Sequence, residues 1–341
     1  MQWKQIGWPL LADSLDLLNL ETVPLTVAVD EYGIVRFSEL PMAAAKTIEQ
    51  TFIGQSYPRP AVLPPVDRGG FETFRNRTET IDAYRRDVER DADDGAAHFR
   101  LGSAYRARYD SPERRPGDFE DAERQWTRAL EIDPNRYIWR RRVQQYGPRM
   151  AEPYAFVDWI RDARKEIAGR GETPLALAVE PGDSEFAAPD PRVTAAKLPT
   201  AEPDPRGRIR RDRGEFVDVE TTTVPATPAP GETVRVHVTF RPNARTKAHW
   251  NNSVDPLVYW VNPPAGVSIP QHAVAAPNAE TEVSQETRVV EYDLTLPASV
   301  PGGRVSIPGY ALYYVCEDVN GVCMYRRHDV NVAVRTRQAR R

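Results

Sequence analysis

The sequence predicts a multidomain α+β protein with a mixed N-terminal segment, a helical middle and a C-terminal antiparallel β-sandwich. Three observations predict it. The chain has 341 residues, long for a single core. Apolar residues at 3–4 spacing are concentrated in the middle of the chain, whereas after residue 216 short apolar runs alternate with turn signals. Between those regions lies a charged, Pro-rich stretch that lacks large apolar residues. The expected boundaries are 1–66, 67–168, a linker over 169–215, a β domain over 216–335, and a basic tail over 336–341.

Bulk composition narrows the function classes. Hydrophobic residues make up 40% of the chain, enough for globular folding, while 31 prolines point to long connections. Mean hydropathy is −0.57. The net charge of −4 is spread over interspersed acids and bases, which gives no support to a nucleic-acid partner. No apolar run approaches the length of a membrane span. Met1 to Pro9 lacks the pattern of a signal peptide, so the chain as written reads as cytoplasmic.

In the first segment, Val23 to Asp30 is an apolar run suited to a buried strand. Glu31-Tyr32-Gly33 supplies a turn and Ile34 to Phe37 the returning strand, with a helix expected from Pro41 to about Phe52. The combination Trp8-Pro9-Leu10-Leu11-Ala12-Asp13, Val23-Pro24 before an apolar strand, and Asp30-x-x-Gly33 resembles the second half of thioredoxin-fold redoxins, the peroxiredoxin-like and TlpA-like proteins. The resemblance covers roughly 50 residues. It implies a partial thioredoxin-like segment in which Pro24 matches the family's cis-proline beside the reactive disulfide. The half that carries the family's cysteines has no counterpart here. Either the recorded start falls inside a longer gene or the segment is a remnant packed on its neighbours; the first is the expectation, and it would make the protein extracytoplasmic if the upstream part encodes a leader.

The middle is expected to hold a helix from Thr78 to about Arg90. A second is capped by Asp94 or Gly95 and carries Phe99, Leu101, Ala104 and Tyr105 inward. A third carries Phe119, Ala122, Trp126, Ala129 and Leu130, and helices are also expected over Tyr137–Tyr146 and Pro153–Ala168. The spacing of Leu101-Gly102, Tyr105, Ala122, Trp126, Ala129 and Pro134 resembles one tetratricopeptide repeat, lengthened by about eight residues between its helices. That resemblance implies an α-helical tetratricopeptide-like module, read as a spacer or protein-binding surface. In the linker, Leu175–Val179 is a lone strand candidate, and Arg206 to Arg213 reads as solvated.

Strands are expected over Phe216–Val219, Val234–Phe240, Leu257–Val261, Val289–Leu296, Val305–Val315 and Val322–Val334. In Val234–Phe240 apolar and polar residues alternate, the mark of one buried face. About seven strands without helical periods fit an antiparallel immunoglobulin-like β-sandwich. Lys247 to Asn252 reads as a polar loop with a half-buried Trp250.

The last hairpin holds both cysteines of the chain, Cys316 and Cys323, around Asn320-Gly321. A two-residue loop at Asn320-Gly321 sets Cys316 opposite Tyr325, with the sulfurs on opposite faces. A loop at Val319-Asn320 sets Cys316 opposite Cys323, where a disulfide can form. Both registers stay open, as do three readings of the pair: a redox-active dithiol, a structural disulfide, or two inert thiols. Arg326, Arg327 and His328 could lower a thiol pKa, and Glu317 and Asp318 would oppose them. The spacing of His237, His249, His272 and His328 follows no zinc pattern, and nothing implies a cofactor. Tyr314-x-Cys316 with Cys323-x-Tyr325 resembles the N-terminal domain of the thiol:disulfide interchange protein DsbD, although the Cys-x6-Cys spacing is longer than that family's. That resemblance implies thiol-disulfide exchange with a thioredoxin-fold protein partner. The alternative is a non-catalytic interaction scaffold whose cysteines staple the hairpin.

Overall fold

The computed structural model describes residues 5, 16, 26–39, 48, 50–61, 77–148, 159–174, 198–300, 303–318 and 321–337. They belong to two compact units, one within Leu11–Arg142 and the other largely within Val143–Arg341. Together they make an α+β protein whose sheets are antiparallel. No helix among the described residues is long and apolar enough to cross a membrane. Pro24 and Leu175–Val179 lie outside the described residues.

In the first unit, β1 (Thr26–Val29) and β2 (Val35–Glu39) form the expected hairpin. Asp30 organises its turn. The Asp30 carboxylate accepts the N–H groups of Tyr32 and Ile34 and pairs with Arg36 at 2.8 Å. Gly33, at φ +80°, supplies the left-handed step.

The helices are α1 (Arg77–Arg90), α2 (Gly95–Tyr109), α3 (Asp118–Ile132) and α4 (Tyr137–Gln144). Asp94 caps α2 by accepting the Ala97 N–H at 3.0 Å. Trp126 of α3 lies fully buried against α2 at Gly102, where an added Cβ would sit 2.6 Å from the indole ring. Only glycine admits that approach. The loop between α2 and α3 is closed by a buried ion pair: Arg108 grips the Asp118 carboxylate with Nε at 3.0 Å and Nη2 at 2.5 Å. Asp16 is also buried here; its carboxylate accepts from Arg136 and from the Trp139 indole N–H.

The second unit contains α5 (Trp159–Gly169) and the strands β3 (Val217–Val224), β4 (Thr233–Pro242), β5 (His249–Asn251), β6 (Leu257–Val261), β7 (Ala273–Ala276), β8 (Val283–Ser284), β9 (Arg288–Thr295), β10 (Arg304–Cys316) and β11 (Cys323–Arg335). β3, β4 and β9 form one antiparallel sheet. The other is built on the long β10, with β11 along one edge and β6 and β5 end to end along the opposite edge; β7 and β8 extend it outward. One core joins the sheets, with Val234, Val236, Val238 and Phe240 of β4 meeting Tyr259, Ile307, Tyr313 and Val315. The architecture is a β-sandwich.

Two expectations change at this level. β4 is buried on both faces, because its outward Arg235 pairs with Asp293 at 2.8 Å and His237 contacts the Tyr146 carbonyl at 2.8 Å. The segment Lys247–Asn252 is not a polar loop: His249–Asn251 is strand β5, and Trp250 lies wholly in the core with its indole N–H donated to the Glu286 carbonyl at 2.8 Å. Short strands such as Ala273–Ala276 carry no clear signal in the sequence, because small residues leave too weak an alternation.

Candidate functional site

β10 and β11 pair through thirteen consecutive registers, from Arg304↔Arg335 to Cys316↔Cys323. Of the two registers the sequence allows, the structure takes the one that sets the cysteines opposite each other. They are joined as a disulfide, with Cα atoms 3.9 Å apart. Strand alternation fixes the face. Tyr313 and Val315 point into the core, so Tyr310, Leu312, Tyr314 and Cys316 lie on the outer face of the sheet with their partners Tyr325 and Cys323.

The two sulfurs have unequal surroundings. Cys316 is buried at 2% exposure, whereas Cys323 is exposed beside Val322 at 70% and Tyr325 at 39%. The Tyr314 and Tyr325 rings meet with centroids 4.5 Å apart, two registers from the disulfide and on the same face. Burial, and next the neighbouring Tyr314, push the Tyr325 phenol up to about 12. At the end of the hairpin, Lys247 reaches Asp318 at 3.1 Å.

The third member of this row was missed as a neighbour of the thiols. β5 pairs with β10 so that His249 stands opposite Cys316, giving the cross-strand row His249–Cys316–Cys323 on the outer face. Directly paired residues bring their Cβ atoms to about 4.5–5.5 Å. His249 is itself buried, at 7% exposure. No local signal could have found it, because the pairing joins segments far apart in sequence.

The cations singled out beside the thiols are engaged elsewhere. Arg326 faces the core side, with its guanidinium 5.8 Å from the Phe216 ring centroid and 2.7 Å from the Met324 sulfur. His328 contacts the Tyr313 hydroxyl at 3.2 Å; burial lowers its pKa, and Asp212 and Asp329 only partly oppose that. Arg327 lies on the outer face, where it meets a strap formed by residues 198–215.

That strap differs from the solvated linker expected there. Leu198 and Ile209 pack on Trp260, Ala273, Tyr310 and Leu312. Arg327 donates to both the carbonyl and the carboxylate of Asp204, each at 2.9 Å, and its guanidinium stands 3.7 Å from the Tyr310 ring centroid. Arg211 and Arg327 grip the two oxygens of Asp329, each at 2.6 Å. Backbone bonds from Asp212 N–H to Arg327 O, 2.7 Å, and from Arg327 N–H to Arg210 O, 3.0 Å, lay the strap parallel along β11. Burial would raise the Asp204 pKa, but Arg327 and the N–H groups of Arg208 and Ile209 outweigh it and hold the carboxyl below its ordinary value. Asp212 ends the strap. It accepts from the N–H groups of Gly214, Glu215, Phe216 and Val217 and from the Tyr313 hydroxyl at 2.9 Å. Buried aspartates and their hydrogen-bonding partners, rather than apolar bulk, anchor this segment, so its composition hides its order.

No family model matches the chain, and no curated protein matches it. Among solved structures, the yeast GGA1 GAE domain is similar over 36% of this chain and 95% of its own, at 10% identity and a TM-score of 0.24. Spo0M, a sporulation control protein from Bacillus subtilis, is similar over 36% of this chain and 50% of its own, at 13% identity and a TM-score of 0.21. AggA, the major subunit of an Escherichia coli adherence fimbria, is similar over 38% of this chain and 98% of its own, at 10% identity and a TM-score of 0.19. Likeness at this level transfers no function. Among the described residues no three His, Cys, Asp or Glu converge as a metal-holding group.

Proposed function

We propose that the protein takes part in thiol-disulfide exchange, with Cys316 and Cys323 as the redox pair and a thioredoxin-fold protein as partner. The observation that carries the reading is the asymmetry of the disulfide: one sulfur exposed and one buried, on the outer face of a sheet. A partner thiolate can approach Cys323 and not Cys316. Its attack forms a mixed disulfide at Cys323 and expels Cys316 as a thiolate. The partner's second thiolate then attacks the partner's own sulfur in that mixed disulfide and releases Cys323. Two electrons and two protons pass to this chain: its disulfide becomes a dithiol and the partner's dithiol becomes a disulfide.

The resemblances support the same reading. The sandwich and its tyrosine-flanked cysteines fit an immunoglobulin-like domain akin to the N-terminal domain of DsbD. On this reading α2 and α3 form a tetratricopeptide-like unit, and the β1–β2 hairpin belongs to a partial thioredoxin-like segment.

A second reading rests on the burial of Cys316: the pair is a staple in an interaction scaffold. A redox titration separates them. Exchange predicts a potential near those of thiol-exchange proteins, whereas a value below about −300 mV marks a structural bond and ends the exchange reading.

A further inference from the structure

We infer that His249 is the proton source for Cys316 when the disulfide opens, so that exchange at this site is directional: partners attack Cys323, and Cys316 always leaves. The inference deepens the exchange reading and rests on it. Three observations place the group. His249 is the direct cross-strand partner of Cys316, while Cys323 is its partner on the other side. Both His249 and Cys316 are buried, so a thiolate expelled at Cys316 has little water to solvate it. The cations expected to serve it, Arg326, Arg327 and His328, are committed to Met324 and Phe216, to Asp204 and Asp329, and to Tyr313.

The other charged groups near the row do not supply this proton. Lys247 is exposed and paired with Asp318, and Glu317 and Asp318 follow Cys316 with negative charge that disfavours a thiolate. Tyr314 and Tyr325 share the outer face, and the Tyr325 phenol, held at about 12, is too weak an acid for the task. On the β8 side, Gln285 is uncharged and its amide donates to the Ala248 carbonyl. His249, directly opposite Cys316 in the sheet, is therefore the group placed to lower the barrier. In the step, the partner sulfur bonds to Cys323 Sγ, the Sγ–Sγ bond breaks with its electron pair going to Cys316, and the His249 proton passes to that sulfur. The neutral imidazole is then recharged from solvent.

The test is the rate of disulfide reduction by dithiothreitol in the full chain, normalised to attacking thiolate and followed from about pH 6 to pH 9. A neighbouring cation lowers a thiol pKa by one or more units and a better leaving group departs faster, so His249→Gln should be roughly tenfold slower near pH 6 and equal to wild type near pH 9. His249→Lys keeps a cation but is too weak an acid to hand its proton over, so its profile should be flat between about pH 6 and pH 9. Alkylation of the trapped mixed disulfide should label Cys316 and leave the attacking thiol on Cys323. If His249→Gln keeps the wild-type profile, or is slow at every pH, the inference is overturned while exchange stands. If His249→Gln does not fold, a His249→Lys profile that still titrates like wild type overturns it equally. A wild-type disulfide that dithiothreitol leaves intact defeats the exchange reading instead.

Discussion

Two regions of one outer face on the β10–β11 ladder, its cysteine end and its middle, are held in opposite ways. At Cys316–Cys323 a covalent bond joins strands whose surroundings are partly open, with Cys323, Tyr325 and Val322 exposed. Around Arg327 there is no covalent bond. A strap presses Asp204, Ile209 and Arg211 onto Tyr310 and Asp329; the Arg327–Asp204 pair is largely removed from water, while Arg211 and Asp329 stay part-exposed. The middle of the ladder is fixed by buried charge and packing; on the proposed exchange, that would keep the sandwich folded while the end changes oxidation state. A protein that cycles between disulfide and dithiol needs both forms folded.

The largest effect should come from breaking the strap. Arg327→Ala leaves the Asp204 carboxylate buried without its cation, and Asp204→Ala does the converse; each should cost about 3–5 kcal/mol in denaturant unfolding. The double variant should cost less than the sum of the two, because the charges are lost together. A single-variant cost under about 1 kcal/mol would remove the strap from this comparison and return residues 198–215 to the status of a linker.

The disulfide end should respond less. Replacing both cysteines by serine removes a cross-link closing a short loop, about 2–3 kcal/mol in the chain-entropy view. Amide exchange should quicken near Cys316 and Cys323 and stay unchanged around Arg327. Fast exchange spreading through β11 would mean that the covalent bond, and not the strap, holds the ladder.

Acid should expose the same division. Asp204 and Asp329 both have pKa values held below normal, with burial opposed by their arginine partners. A carboxyl with a depressed folded-state pKa contributes stability above its unfolded pKa, about 3.9, and loses it as pH falls through the folded value. Wild type should therefore lose stability steeply below about pH 4, and Asp204→Asn should flatten that slope. The cysteine variants should keep it.

The contrast also explains what the sequence could convey. The alternation of Val234, Val236, Val238 and Phe240 announced a strand, and its core face is where periodicity placed it. The cysteine register was narrowed to two loops one residue apart, because Asn320-Gly321 favours one turn and a facing disulfide the other. What stayed illegible was nonlocal. Asp204 and Asp212 looked like solvated acids in a Pro-rich run, and their burial depends on Arg327, Tyr310 and Tyr313 more than a hundred positions away. His249 looked like part of a loop until β5 paired with β10.

The smallest predicted effect tests whether the core beneath the strap is itself sensitive to pH. Tyr313 donates to Asp212 at 2.9 Å, so its oxygen can accept from His328 Nδ1–H at 3.2 Å, an arrangement that needs only a neutral imidazole. Burial lowers the His328 pKa below 6.5, despite Asp212 and Asp329. The unfolded chain therefore takes up more protons than the folded one as pH falls through about 6.5, so stability is full above that value and declines below it. His328→Gln can still donate to Tyr313 and cannot titrate, so its stability between about pH 7 and pH 5 should be flatter than wild type. Parallel profiles for the two proteins would assign the decline to other groups. A flatter profile with unchanged disulfide reduction would separate His328 from the cysteine chemistry altogether, leaving that role to the residue on the opposite side of β10.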